Sequence, residues 1–379
     1  MPRNGSKKTS IKSSSAKSGR AKTAVKTARP TVKAAKPARA EAEITEKTEK
    51  APAPQPRFVA QPARRTTEVI RTRARFTDPM RAANEYTNIR DLILGQGAKH
   101  GNRTFLIFEH DGREYSFLQL DEQTTRAANL MAALGAQRGS RIAILMNNSP
   151  EYVFAWLGAM KAGMVAVPVS TDVGPEEFKQ IMQDCGAAVL FTSKDYWPLY
   201  QLSRDGLPGL LGVVVAGEMP DSVRAETTPR EGKGPKDIFD FGACMKQAPL
   251  ELKGQAPQQW DEAQLCYTGR SLDMPRGAVL QQRQFLTAAR CLSTALAFNA
   301  TQRMLCALPL FHVNAQVTSI FAPLCLGGSV VLFSEFSASR FWPVVERYKA
   351  TAVSAVPSML GILTEREIAE ARGLKREQS

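Results

Sequence analysis

The sequence predicts an α/β fold of mostly parallel sheets with crossover helices, preceded by a disordered basic tail. Two observations predict the fold: apolar strand-like runs alternate with capped, periodic segments through residues 81–379, and glycine punctuates their ends. A third sets the tail apart. The 379-residue chain carries a net charge of +14, yet residues 1–75 hold 20 Lys/Arg against 5 Asp/Glu, and the remainder holds 30 against 31. The α/β part is therefore electrically ordinary, and its length fits two or three folding units at most.

Residues 1–80 form the tail and linker. The tail runs through Lys, Ala, Pro, Ser and Thr with no acidic residue before Glu41. It has too few large apolar side chains to offset the entropy of ordering, so disorder is expected. Three roles stay open for it: a solubilising arm, contact with a polyanion (nucleic acid, anionic lipid or granule surface) through residues 1–75, or an organelle transit peptide. No aromatic residue precedes Phe58, so base stacking has no support there. Residues 51–80 are a Pro/Arg-rich linker.

The alternation begins with Ser116, an N-cap for a helix over Phe117–Leu134 with Gly135 as its C′ residue. Arg141–Met146 is a buried strand. Ser149-Pro150-Glu151 then supplies a cap, a proline in the first turn and an acid at the positive end of the helix dipole. That helix, Glu151–Ala162, stops at Gly163, and Met164–Val169 is the next strand. A helix over Pro175–Asp184 leads through Gly186 to a strand at Ala187–Thr192. Strand–helix–strand at these lengths reads as a parallel sheet with crossovers. A polar, Gly/Pro-rich interval, Met219–Pro257, follows, with a short element near Ile238–Met245. The rhythm resumes with a strand at Leu265–Thr268, a helix at Gln282–Ala297, a strand at Met304–Leu308 and a helix at His312–Leu326. A strand at Ser329–Phe333, a helix at Ser337–Tyr348, a strand at Thr351–Ala355 and a helix from Pro357 complete it.

Six cysteines lie in apolar contexts without a C-x-x-C pair, which predicts reduced core thiols. His100, His110 and His312 are too far apart for a histidine-rich metal site, so no metal ligands are assigned. Apolar runs such as Gly209–Gly217 fall far short of the ~20 residues of a membrane helix. A soluble, cytoplasmic protein without a transmembrane segment is expected.

A strand followed by a Gly/Ser/Thr-rich turn holds phosphates through converging backbone N–H groups, hydroxyls and a cation. Tyr267-Thr268-Gly269-Arg270-Ser271-Leu272-Asp273-Met274-Pro275-Arg276-Gly277-Ala278 has the context but few of those features. The segment resembles the phosphate loop of the adenylate-forming (AMP-binding) superfamily, whose pattern is Y-T-S-G-T-T-G-x-P-K-G-V. Leu308-Pro309-Leu310-Phe311-His312-Val313-Asn314-Ala315 resembles that family's L-P-x-F-H segment. Phe336–Trp342, Ala352–Met359 and the run from Tyr115 to Ser170 also resemble it, so the likeness covers roughly residues 85–370. Within the family, the FHVNAQ and FSASRFW runs are most similar to bacterial acyl-CoA or crotonobetaine/carnitine-type CoA ligases.

The resemblance implies the large N-terminal domain of the adenylate-forming fold over residues 81–379, in two blocks, 81–218 and 258–379. It implies ATP-dependent adenylation of a carboxylic acid followed by transfer to CoA, with ATP, Mg2+ and CoA as cofactors if that activity survives. Carried over by position, Thr268, Ser271, Arg276 and Gly277 are the retained phosphate-loop residues. His312 is a candidate beside the reacting carboxylate and acyl pocket, against a plain structural role. Phe311, Phe321, Phe336, Phe341 and Trp342 are read as core rather than acyl-pocket lining. The departures are physical: Arg270 and Asp273 place side chains where backbone must approach phosphate, and Leu272 removes a donor. One carboxylate at ~4 Å from a phosphate charge repels it by about 4 kcal/mol at an effective dielectric near 20.

The family's adenine-binding Y-G-x-T-E segment, its T-G-D motif and its lysine-bearing C-terminal domain find no match before Ser379; Thr364-Glu365 lies too early. The expectation is a truncated, catalytically degenerate ligase-like chain with a binding or regulatory role. Its partner would be an intact ligase, or a separate C-terminal chain that completes a split enzyme. A third alternative gives the basic tail the main role, in polyanion binding.

Overall fold

The computed structural model describes residues 86–207, 209–218, 237–268 and 276–371. The expectations for the tail at 1–80 and for Gly269–Pro275 of the phosphate loop fall outside these residues.

Two sheets organise the fold. Helix α1 (Ile89–His100) starts on Asn88, whose side-chain carbonyl accepts from the Asp91 N–H at 2.9 Å. Strands β1 (Thr104–Phe108) and β2 (Glu114–Ser116) form an antiparallel pair. Helix α2 (Phe117–Ala133) opens on a reciprocal cap: the Gln119 N–H donates to Ser116 Oγ at 3.1 Å and the Ser116 N–H to Gln119 Oε1 at 2.8 Å. There follow β3 (Arg141–Leu145), α3 (Pro150–Lys161), β4 (Val165–Pro168), α4 (Pro175–Cys185), β5 (Val189–Ser193), α5 (Trp197–Ser203) and β6 (Gly212–Ala216). Within the polar interval lie β7 (Asp237–Asp240) and α6 (Phe241–Gln247), and after it come β8 (Glu262–Thr268), β9 (Arg276–Gln281), α7 (Gln282–Ala295) and β10 (Arg303–Cys306). A π-helix, Ala315–Phe321, then runs into α8 (Ala322–Leu326). The described chain ends through β11 (Ser329–Leu332), α9 (Ala338–Tyr348), β12 (Ala352–Val353) and α10 (Pro357–Ala371).

The seven-stranded sheet has the order β7-β6-β5-β3-β4-β8-β9, and the five-stranded sheet β12-β10-β11-β1-β2. All described pairings are parallel except β8/β9 and β1/β2, so the predicted mostly parallel α/β class holds. Strands β8 and β9, from beyond the polar interval, extend the sheet built on β3–β6, while β1 from before it pairs with β11.

Helix α3 is the centre of the packing. Pro150 and every residue from Tyr152 to Lys161 are buried, the signature of a helix apolar on all sides. Gly158 makes its approach to α2 close: a Cβ there would lie 2.8 Å from Thr124 O and 2.9 Å from Ala127 Cβ. At its C-terminal end the buried Lys161 ammonium donates to Asp121 Oδ1 (2.5 Å), Asp121 O (2.8 Å) and Thr125 Oγ1 (2.6 Å). Burial nevertheless holds its pKa below the ordinary lysine value, with Asp121 opposing the shift.

Several expectations shift. Helix α1 escapes sequence analysis because Gly95 and Gly97 lower its helix propensity and Gln96 sits on its buried face. The hairpin of β1 and β2, helix α5, strand β6 and strand β9 are further additions. His312–Leu326 is not one α-helix: residues 307–312 are a loop, 313–314 open the helix, and Ala315–Phe321 is π-type. Among the described residues, no helix is long and apolar enough to cross a membrane.

Candidate functional site

A cleft of about 660 Å³ opens between four segments, one of them the loop after β12 that carries Val356. Strand β8 contributes Cys266 and Tyr267, the loop after β10 contributes Phe311 and His312, and the stretch from β4 into α4 contributes Asp172 and Glu177. Parallel β/α connections place these ends together, since ligand clefts in such sheets form at the carboxyl ends of the strands. Leu308, Val313 and Val356 make the floor and walls largely apolar. A second cavity of about 440 Å³, lined by Asn147, Tyr196, Glu335 and Phe336 among others, shares Asp172, Leu308, Phe311 and Val356 with it.

His312 is exposed in this cleft, its ring 4.4 Å from that of Phe311. Its N–H donates to Pro309 O at 3.1 Å and its carbonyl accepts from the Gln316 N–H at 3.2 Å, so the residue enters the π-helix from a tight turn. Tyr267 donates its hydroxyl to the Asp184 carboxylate. Burial, reinforced by that carboxylate, raises the phenol's pKa well above its ordinary value, so Tyr267 stays a neutral donor. The Cys266 thiol is likewise raised by burial, which leaves it a weak nucleophile.

The predicted phosphate-loop residues divide. Strands β8 and β9 pair Thr268 with Arg276 and Tyr267 with Gly277, forming the neck of a hairpin, while Ser271 falls outside the described residues. Arg276 and Gly277 are exposed. Gly277 has a packing reason as well as a family one, since a Cβ there would lie 2.8 Å from Leu265 Cδ1 and 3.3 Å from Tyr267 Cζ. The neck and His312 border one cleft through Tyr267. Arg276 sets a cation, and Thr268 its backbone, at this neck. No cluster of three or more His, Cys, Asp or Glu among the described residues is placed to hold a metal.

Three of the aromatic expectations change. Phe311 lines both cavities and Phe336 the second, because each lies on the loop just beyond a strand end rather than within an element. Phe321 and Phe341 are core, and Trp342 is exposed.

Sequence analysis missed the groups that hold the His312 loop. Asn148 donates to Leu308 O (3.0 Å) and accepts from Leu310 N (2.7 Å). Leu310 O accepts from Tyr152 (3.0 Å) and from Gln316 (2.7 Å). The available signal was a lone amide inside each of two apolar runs, Gln264 in β8 and Gln316 after His312.

With this geometry in place, comparisons with known proteins become specific. The sequence profile of the family described as AMP-binding enzyme matches residues 95–378. The chain is 29% identical over 283 residues to a crotonobetaine/carnitine–CoA ligase of Citrobacter koseri, covering 73% of this chain and 52% of that protein. It is 28% identical over 288 residues to the corresponding ligase of Escherichia fergusonii, covering 72% and 53%. The chain thus spans about half the length of these curated relatives. Among solved structures it is similar to the anthranilate CoA ligase AuaEII in complex with anthranoyl-AMP (TM-score 0.65, 26% identity, 73% of this chain and 52% of that one). It shares the fold of the N-terminal domain of FACL13 from Mycobacterium tuberculosis (TM-score 0.62, 22% identity, 73% and 65%). A match of the family profile over residues 95–378, well over half of the sequence, shows that the chain belongs to the AMP-binding enzyme family.

Proposed function

We propose that this chain binds a carboxylic acid in the cleft beside His312, as part of an acid–CoA ligase site, and that its altered phosphate-loop sequence favours binding or regulation over turnover. The observation that carries the reading is the shared cleft: Tyr267, at the neck of the phosphate hairpin, and His312 line the same cavity. That supports an acid held between the apolar part of the cleft and the hairpin neck. The relatives named as CoA ligases, and the neighbour that holds anthranoyl-AMP, support an acid and its adenylate as the ligand class. ATP with Mg2+ would supply the adenylating group, and CoA the accepting thiol, where the family's reaction is retained.

The loop composition argues against efficient use of ATP. Arg270 and Asp273 replace glycines of the family's pattern, and Leu272 replaces a hydroxyl. Asp273 sets a carboxylate against polyphosphate, and its own side chain hinders close backbone approach.

The test is acid-dependent ATP–pyrophosphate exchange with the purified 379-residue chain, alongside calorimetry with aliphatic, aromatic and betaine-type carboxylic acids. No exchange is expected, whereas at least one acid should bind and His312→Ala should weaken it by about tenfold, the size of one lost polar contact. Clear exchange by the wild-type chain overturns the non-catalytic half of the proposal, and the absence of any acid binding overturns the other half.

A further inference from the structure

The loop after β10, residues 307–312, carries His312 outside any helix or strand. Its backbone is instead held from beneath by a chain of buried amides. Trp156 Nε1 donates to Gln264 Oε1 at 2.8 Å, Gln264 Nε2 donates to Gln316 Oε1 at 2.8 Å, and Gln316 Nε2 donates to Leu310 O at 2.7 Å. Tyr152 adds a second donor to Leu310 O at 3.0 Å. Trp156, Gln264, Gln316 and Tyr152 are all fully buried.

The direction of this chain is fixed by chemistry. An indole nitrogen can only donate, and a peptide carbonyl can only accept. With Trp156 at one end and Leu310 O at the other, each glutamine has one amide orientation that pairs both its groups. A fully satisfied buried network of this kind specifies a single geometry, because any displacement strands a polar group away from water.

Its end points matter. Gln264 lies on β8, the strand that runs through Tyr267 and Thr268 into the phosphate hairpin. Gln316 is the second residue of the π-helix that follows His312, a local register often found at functional sites. We infer that Gln264 and Gln316 are positioning residues that lock the His312 loop to strand β8, fixing the acid end of the cleft relative to its phosphate end. This rests on the reading of the cleft as an acid site. A purely structural role would lower stability without moving His312.

The chain has three histidines, which makes the imidazole resonances a direct readout. Gln316→Met, Gln264→Met, the double variant and Tyr152→Phe are compared in the full 379-residue chain. Proton NMR follows the histidine signals, with the His312 signal identified by its loss in His312→Asn. Calorimetry follows binding of hexanoate, anthranilate and carnitine, each used without nucleotide as an analogue of the acid.

Both single methionine variants are expected to shift the His312 signal, leave those of His100 and His110 in place, and weaken acid binding by about tenfold. The double variant should be no worse than either single one, because both break the same chain. Tyr152→Phe removes one of two donors to Leu310 and should shift His312 less. Unmoved His312 signals in folded variants overturn the inference, as would full additivity in the double variant. If Gln316→Met fails to fold, Tyr152→Phe decides by the same signal. If the wild-type chain binds none of these acids, the acid-site reading fails while the NMR arm still decides the positioning role.

Discussion

Two glycines separate two kinds of constraint at the scale of single residues. A Cβ on Gly277 would meet the far end of the flexible Leu265 side chain, whereas one on Gly158 would meet the backbone oxygen of Thr124. Gly277→Ala is therefore expected to cost under about 1 kcal/mol, and Gly158→Ala about 1–3 kcal/mol as overpacking of two helices that cannot part. Urea unfolding of both variants checks the difference. His100 supplies a pH dependence. Its Nε2 is buried without a partner, its ring abuts Gly327, and burial, then Arg103 and Lys99, lowers its pKa below 6.5. A group whose folded pKa lies below its unfolded value is protonated first in the unfolded chain. Its contribution is thus complete above the ordinary imidazole range and is lost as pH falls from about 6.5 toward the folded value. The urea midpoint should drop between pH 7.5 and 5, and His100→Asn should remove part of that slope. An identical slope in the variant would place the acid sensitivity elsewhere.

At the scale of elements, helix ends illustrate how local chemistry survives in the fold. The reciprocal Ser116–Gln119 cap is worth about 1 kcal/mol, so Ser116→Ala should lower the unfolding free energy by that amount without altering the fold. Thermal unfolding and far-ultraviolet circular dichroism test it; an unchanged Tm would mean the cap is dispensable beside the packing of α2 on α3. The π-helix behaves differently. Its bounds follow from no local signal in Ala315–Phe321, whose residues are all buried, but from Gln316 reaching both Gln264 and Leu310.

At the scale of the molecule, apolar side chains stand exposed on α9, β12 and α10: Trp342, Val353, Leu360 (52% exposed) and Ile362 (48%). A contiguous apolar surface promotes association. Sedimentation velocity should show concentration-dependent self-association of the chain, relieved in Leu360→Lys/Ile362→Lys. A wild-type monomer at all concentrations would refute this. The charge imbalance supports a separate proposal for residues 1–75. With 20 Lys/Arg there, binding to heparin should weaken steeply with salt, and deletion of residues 1–57 should abolish the dependence. Equal retention of the deleted form would assign the binding to the α/β part.

The sequence by itself determined the alternation of strands and helices, the caps at Ser116 and Ser149, and the family, because these depend on neighbours in the chain or on ordered motifs. It also singled out His312 and the residues now seen at the hairpin neck, Thr268, Arg276 and Gly277. It missed strand β9, whose partner β8 is separated from it by the phosphate loop, and helix α1, whose glycines and buried Gln96 disguise its period. Only the tertiary structure decided that Phe311 faces the cleft, that β8 and β9 extend the sheet begun by β3, and that Asn148, Tyr152, Gln264 and Gln316 hold the His312 loop. The reason is physical: Gln264 and Gln316 stand 52 residues apart, and the value of a buried amide depends on the partner that reaches it, not on the residues beside it.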